Sequence, residues 1–440
     1  MTRRGTFILC VALAGLSPVA AAAADWPQWR GPAFNGSTAE TGLPEKFSRT
    51  ENVLWATPLP GPSSATPVVW GDRVFVSSVD EKTNRLLALC IDAATGSVVW
   101  KKETGQNRQA PRNNMASPSP VTDGRTAWFF YGTALLFAFD VRGDLLWSRD
   151  FEKDHGHNAL MFGYSSSPLL YKGKLYIVAI RNRQQDLYGR GPPGQTDPYL
   201  LAIDPKTGKD LWKQPRVSDA RGEVEEAYSS PIPYEGGGGS QILVFGADYL
   251  TGHDAETGKE LWRWGGYNPR RINHWRIIPS PVVGDDLVFV FGPKHSPMYA
   301  LRPKGSGLLD NSCVAWTFGK TVPDAATGLY YQGMLYVPDD DRRVMTCLDP
   351  KTGTPKWQIE MGGSQVIRAS PLGADGRIYC MNEGGEVIVL ASGDEPKILH
   401  RAEMSDRELT RSSIVAAGGR LFIRTTEKLY CLARAAGPRS

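Results

Sequence analysis

The chain has 440 residues, with 50 lysines and arginines against 46 aspartates and glutamates, 41% hydrophobic and 22% charged residues, and 13 tryptophans. A formal charge of +4 with no extended basic run argues against a nucleic-acid partner. The apolar content is that of an ordinary globular protein and excludes a disordered or wholly membrane-buried chain.

Residues 1–24 read as a secretory signal peptide: Arg3-Arg4, an apolar run from Phe7 to Leu16, and Ala22-Ala23-Ala24 as the cleavage site before Asp25. The mature chain is therefore expected to be periplasmic or extracellular, with an uncleaved anchor as the alternative. Cys10 follows Leu9, where a lipidation signal wants a small residue, and no later segment could span a membrane. Residues 25–51 open on Asp25-Trp26-Pro27-Gln28-Trp29-Arg30-Gly31-Pro32 and have no period. Their two tryptophans predict a segment docked on the folded body.

Residues 52–433 form a repeat. The frame from Ala202 to Trp212 returns at Cys90–Trp100, Gly252–Trp262 and Cys347–Trp357, each with an Asp, a Thr and a Gly in register. Around it the plan is constant. A Ser/Ala-x-Pro lead-in precedes a short apolar strand, a Gly-Asp or Gly-Lys turn and a Val/Phe/Tyr-rich strand. A third strand ends at Asp-x-x-Thr-Gly, and a fourth ends at Trp. Short strands joined by tight turns make antiparallel meanders. The Asp can accept hydrogen bonds from turn amides, and the Gly can take the positive φ such a turn needs. Units run from Ala65 to Trp100, Ser117 to Trp147, Ser167 to Trp212, Ser230 to Trp262, Ser280 to Trp316, Thr327 to Trp357, Ser370 to near Leu399, and Ser413 to Leu432. The last unit lacks a fourth strand, whereas Val53–Thr57 is a spare one with no unit before it.

This pattern predicts an all-β, eight-bladed β-propeller of four-stranded antiparallel blades, its ring closed by the N-terminal strand. Seven blades is the alternative, because units six to eight are degenerate. Residues 434–440 are a tail, and the protein is expected to be a monomer. Trp55, Trp100, Trp147, Trp212, Trp262, Trp316 and Trp357 share one repeat position and are assigned to structural docking between blades.

Strand direction sorts the loops. The top face collects the connections between blades and those joining second to third strands, among them Lys101–Asn114, Asp150–Tyr164, Pro215–Tyr228, Gly265–Ile277, Glu360–Arg368 and the insertion Arg181–Pro198. Long loops on a rigid scaffold are where binding residues usually sit. Residues leading into each innermost strand should crowd the axis, and they are rich in chemistry. The candidate ligand-binding funnel is Arg112, Asn114, His157, Tyr164, Glu226, Tyr228, His274, Trp275, Arg276, Arg368 and Arg411. Such a set fits a planar polar anion, held by bidentate arginine contacts and stacking; the alternative is that these groups satisfy one another and water.

No catalytic or metal set is assigned. Asp339-Asp340-Asp341 lacks the calcium-loop spacing and precedes Arg342-Arg343, His155-Gly156-His157 reads as loop, and no Gly-x-Ser-x-Gly occurs. Five cysteines follow the leader without a Cys-x-x-Cys and read as buried thiols.

Ala-x-Asp-x-x-x-Gly-x-x-x-Trp resembles the tryptophan-docking motif of the pyrroloquinoline quinone (PQQ) repeat propellers. Ala202, Asp204, Gly208 and Trp212 match it throughout, and units one, four and six match except at the Ala position. The leader followed by Asp25–Pro32 looks like exported PQQ-like repeat proteins. The resemblance implies that each Trp stacks between neighbouring blades. The quinoprotein alcohol dehydrogenases are similar in repeat, but this chain lacks their adjacent-cysteine disulfide. Their calcium-ligating and catalytic carboxylates match no motif here, although Glu226, Asn273 and Trp275 occupy comparable loops. The barrel-assembly lipoprotein of Gram-negative outer membranes is similar in architecture and has no cofactor; its lipid-anchor cysteine is lacking here. The expected function is an exported, non-catalytic propeller that binds an envelope protein, a polymer or a small polar ligand through its top face. The alternatives are a dehydrogenase using PQQ with calcium, Arg276 or Arg368 holding the quinone carboxylates, and a carbohydrate-active enzyme.

Overall fold

A computed structural model describes residues 24–183, 196–294, 296–405 and 409–434. The leader up to residue 23, most of the insertion in the third unit and residues 435–440 lie outside the described residues. Eight sheets, each built on four antiparallel strands and the fourth carrying a fifth strand at its outer edge, follow one another along the chain, and they are the blades of a propeller. The innermost strands are Val68–Trp70, Val121–Thr122, Leu169–Tyr171, Ile232–Gly236, Val282–Gly284, Leu329–Tyr331, Leu372–Ala374 and Val415–Ala417. In the eighth blade the outer strand is Val53–Pro58, antiparallel to Lys428–Ala433, so the ring closes through its N-terminal strand. No described helix is long and apolar enough to cross a membrane.

Middle strands such as Arg73–Asp80 and Arg85–Asp92 are buried along almost their whole length, because each blade is covered by a neighbour on both faces. Their apolar runs are therefore continuous. Outer strands alternate instead, as at Asp210–Pro215, with one face toward solvent. The outer strand of the first blade is Val98–Gln106, so Lys101–Gln106, expected in a connection, continue the strand. They do so because their partner strand extends back to Arg85.

The repeated turn is built as its residues dictate. Asp92 accepts from the amides of Ala94 and Thr95 and from the Thr95 hydroxyl, all within 3.0 Å, and these bonds, led by the Thr95 amide, hold its carboxyl below the usual range. Gly96, Gly208, Gly258 and Gly353 sit at φ of 74°, 70°, 77° and 71°. A Cβ on Gly208 would lie 2.7 Å from the Trp147 ring, so each turn glycine also makes room for the preceding blade's indole. The indole N–H groups of Trp55, Trp100, Trp147, Trp316 and Trp357 donate across to carbonyls of Ala93, Val141, Pro205, Pro350 and Gly393 in the next blade.

Two blades depart from this pattern. The fifth has a long connection in place of the turn, and its Gly307–Leu309 adds a short parallel strand to the outer edge of the fourth blade. Trp262 consequently donates to Gln241 of its own blade at 2.7 Å. In the seventh blade His400 stands where the Trp would be, and its ring packs edge-on against Phe47, 5.1 Å between centroids.

Candidate functional site

Every blade begins with a hydroxyl residue just before its innermost strand: Thr66, Ser119, Ser167, Ser230, Ser280, Thr327, Ser370 and Ser413. The backbone N–H of each donates to the hydroxyl oxygen of the next in seven of the eight steps, at 2.7 to 3.3 Å, and Ser413 returns to Thr66. The result is a girdle of buried hydroxyls around the axis. The signal for it was in the sequence as the Ser/Thr preceding the proline of most units.

The N-terminal segment closes the girdle from below. Trp26 exchanges both main-chain bonds with Val69, and the Pro27 carbonyl accepts from Thr122. The Gln28 amide group bonds both main-chain groups of Leu170 in the third blade. Two residues later, the Arg30 guanidinium donates to the carbonyls of Gly328 and Pro371, which lead into the sixth and seventh blades. The third and seventh blades face one another across an eight-membered ring, so the chain crosses the axis at Trp29. Gly36 and Thr38 then bond Gly373, and Glu40 accepts from Gly419 in the eighth blade. These contacts lie toward the turn end of the innermost strands, which places the crossing at the bottom of the channel. The remaining space is a cup of about 550 Å³, with Trp29 among its lining residues. That volume lies within the range of small-ligand pockets.

Of the predicted funnel residues, Arg112, Tyr228, Trp275, Arg276, Arg368 and Arg411 line the cup. Asn114 folds back to accept from the Ala116 amide, and His157 bonds Glu152 at 2.9 Å. Tyr164 is buried and donates to the Val178 carbonyl at 2.6 Å. Glu226 is wholly buried and accepts from the Met161 amide and the Tyr228 hydroxyl at 2.7 and 2.8 Å. His274 is exposed and stacks edge-on to Trp275, 4.4 Å between centroids. Lining residues that the sequence reading passed over are Trp29, Phe162, Lys294, Asp324, Glu383 and seven of the girdle hydroxyls.

The cup has two characters. Phe162, Tyr228, Trp275 and Ile278 give it an aromatic and apolar side, and Arg112, Arg276, Lys294, Arg368 and Arg411 a basic one. Arg276 lies over the Phe162 ring at 5.1 Å and pairs with Glu223 at 3.4 Å. Trp275 holds a φ of 71°, unusual for so large a residue, with its amide donating to the Glu223 carboxylate at 3.1 Å. Arg368 reaches Asp340 and Asp341, both at 2.9 Å; its burial alone would lower its pKa, but these carboxylates outweigh that and hold it higher. Arg411 donates to Glu383 at 2.7 Å and to the Arg112 carbonyl. Arg112 itself is exposed and forms no ion pair among the described residues.

Most acid–base and nucleophilic candidates are already engaged; the exception is Asp324, whose buried Oδ1 has no hydrogen-bond partner. Asp324 and Glu383, the carboxylates facing the cup, sit against Arg368 and Arg411. Burial, with Glu226 beside it, pushes the Tyr228 phenol well above its ordinary range. Burial pushes the thiols of Cys90, Cys347, Cys380 and Cys431 up to about 12, and none of them lines the cup. Among the described residues no three His, Cys, Asp or Glu side chains gather as a metal-ligand set. The basic side therefore suits an anion.

A family profile described as outer membrane protein assembly factor BamB matches residues 47–189, 196–304 and 311–439. The chain is 25% identical over 248 residues to the quinohemoprotein alcohol dehydrogenase ADH-IIG of Pseudomonas putida, which covers 54% of this chain and 27% of that protein. It is 25% identical over 308 residues to a polyvinylalcohol dehydrogenase of Pseudomonas sp, covering 58% and 46%. It thus spans between about a quarter and a half of the length of these curated relatives. Among solved structures, BamB from Moraxella catarrhalis superposes with a TM-score of 0.58 at 13% identity, over 86% of this chain and 99% of that one. A europium-containing methanol dehydrogenase superposes with a TM-score of 0.68 at 10% identity, over 93% and 98%. At such identities the superpositions speak for the fold alone. The profile match, by contrast, runs over most of the sequence, and by it the chain belongs to the outer membrane protein assembly factor BamB family.

Proposed function

We propose that the protein is an exported binding propeller without catalysis of its own, taking a small polar ligand, or a polar group of an envelope partner, into the blind cup on its top face. One observation carries this reading: the cup is shaped and lined for binding, while each carboxylate facing it is already held by an arginine. A general base must be within reach of a proton and able to take it. Glu383 accepts from Arg411 at 2.7 Å, Asp324 is ion-paired with Arg368 at 3.6 Å, and the Tyr228 hydroxyl donates to Glu226. Export is supported by the leader read in residues 1–24.

A second reading, a quinone-dependent dehydrogenase, is favoured by the names of the relatives. Titrating the purified chain with PQQ and calcium, while following quinone absorbance and alcohol-driven dye reduction, separates the two. No turnover is expected. Stoichiometric quinone binding together with dye reduction would overturn the binding-protein reading.

A further inference from the structure

We propose that the cup holds an oxyanion group, a carboxylate or a phosphate, on the propeller axis against the girdle hydroxyls; this rests on the reading of the cup as a binding site. Each girdle hydroxyl that accepts a backbone amide keeps its own proton to give. None of the eight donates to a protein acceptor among the described residues, and seven of them line the cup. All are more than nine-tenths buried, so the protons need a partner inside the cup. An amide donating to a hydroxyl that donates onward polarises the second bond, and seven such dipoles arranged about one axis reinforce each other there.

Water could satisfy the hydroxyl protons equally well; the charge beneath them favours an anion. Arg30 is 3% exposed and bonds only main-chain carbonyls, those of Gly328, Pro371 and Asn35. Its Nε, also buried, has no hydrogen-bond partner, and no carboxylate pairs with it among the described residues. Gly328 and Pro371 directly follow the girdle residues Thr327 and Ser370, so an uncompensated guanidinium lies just under the girdle. Burial without a counter-ion pushes its pKa down to about 9, still well above neutrality, so the charge persists. From above, Arg112 offers a guanidinium with no ion pair among the described residues. The aromatic side formed by Phe162, Tyr228 and Trp275 then suits the body of an aryl or otherwise apolar-bodied anion.

Calorimetry on the mature chain with phenyl phosphate, benzoate and the neutral benzyl alcohol tests this. One-to-one binding of an anion, with benzyl alcohol silent, is expected, and the stronger of the two anions tells a phosphate source from a carboxylate one. Two variants localise it. Arg112→Asn removes the exposed charge with a residue that tolerates positive φ. Ser413→Ala removes one girdle proton without breaking any of the seven amide links. Each should weaken anion binding roughly tenfold, the loss of one charged hydrogen bond, at unchanged melting temperature. Anion binding indifferent to both variants would be an adventitious surface ion only and would overturn the proposal. Benzyl alcohol binding as tightly as the anions would overturn it too while leaving the binding-protein reading intact. Quinone-driven turnover strikes at that reading alone.

Discussion

His253 shows how much one buried side chain can tie to pH. Its Nδ1 lies 3.1 Å from the Gly258 carbonyl and its Nε2 2.9 Å from the Thr251 hydroxyl, which also accepts from Arg216 Nε at 2.9 Å. That pattern fits a neutral ring with its proton on Nδ1. Burial first, and then the charge of Arg216, push the His253 pKa down to about 4. An unfolded histidine titrates near 6.5, so between these values only the unfolded chain takes up the proton. The contribution is therefore intact above about pH 6.5 and drains away as the pH falls toward 4. At pH 4.5 the loss amounts to about 2–3 kcal/mol. Denaturant unfolding at pH 7 and pH 4.5 should show the wild-type chain losing that much more stability than His253→Gln. Equal losses in the two chains would mean that the ring is protonated inside the fold.

At the scale of the element, the docking tryptophans are alike in sequence and unlike in surroundings. Trp357 is 7% exposed, donates to the Gly393 carbonyl at 2.7 Å and packs on Tyr336. Trp212 is only partly buried, and its indole nitrogen has no hydrogen-bond partner. Truncation to alanine should cost about 5 kcal/mol at Trp357 and about 3 kcal/mol at Trp212, read from denaturant midpoints at constant slope. A loss within error at both would detach the repeat from the stability of the ring. This difference was not legible in the sequence, which shows the same eleven-residue frame for both. The frame itself was legible because every blade must turn and dock in the same way, so Asp, Gly and Trp recur at fixed spacing. Gly307–Leu309 escaped that logic by pairing in parallel with a strand of another blade. The cup was legible in part. Arginines near each lead-in pointed to the axis, but Lys294 and Glu383 reach it from loops between second and third strands, where no repeat position marks them.

For the whole molecule, the axis is decided by a segment that has no period at all. Residues 24–40 bond the innermost strands of the first, second, third and seventh blades and the turn after the innermost strand of the eighth, and Arg30 reaches the carbonyl leading into the sixth. A strap of this kind ties together blades that otherwise touch only their neighbours, and it turns an open channel into a cup. Its two central residues divide the work. Arg30 anchors, holding three carbonyls from a fully buried position, whereas Trp29 lines the cup. Arg30→Met keeps the bulk but leaves those carbonyls without their charged donor, and should cost about 3 kcal/mol or more. Hydrogen exchange should report where the loss falls. The amides of Val69, Thr122 and Gly373, which are bonded to the strap, should lose protection together, while those of the middle strands keep theirs. Trp29→Ala should do the reverse: strap amides stay protected, and only the floor of the cup is deepened. If Arg30→Met leaves the Gly373 and Thr122 amides as slow as before, the strap is held by its tryptophans and main chain alone. Arg30 would then be present for its charge beneath the cup and not for its grip.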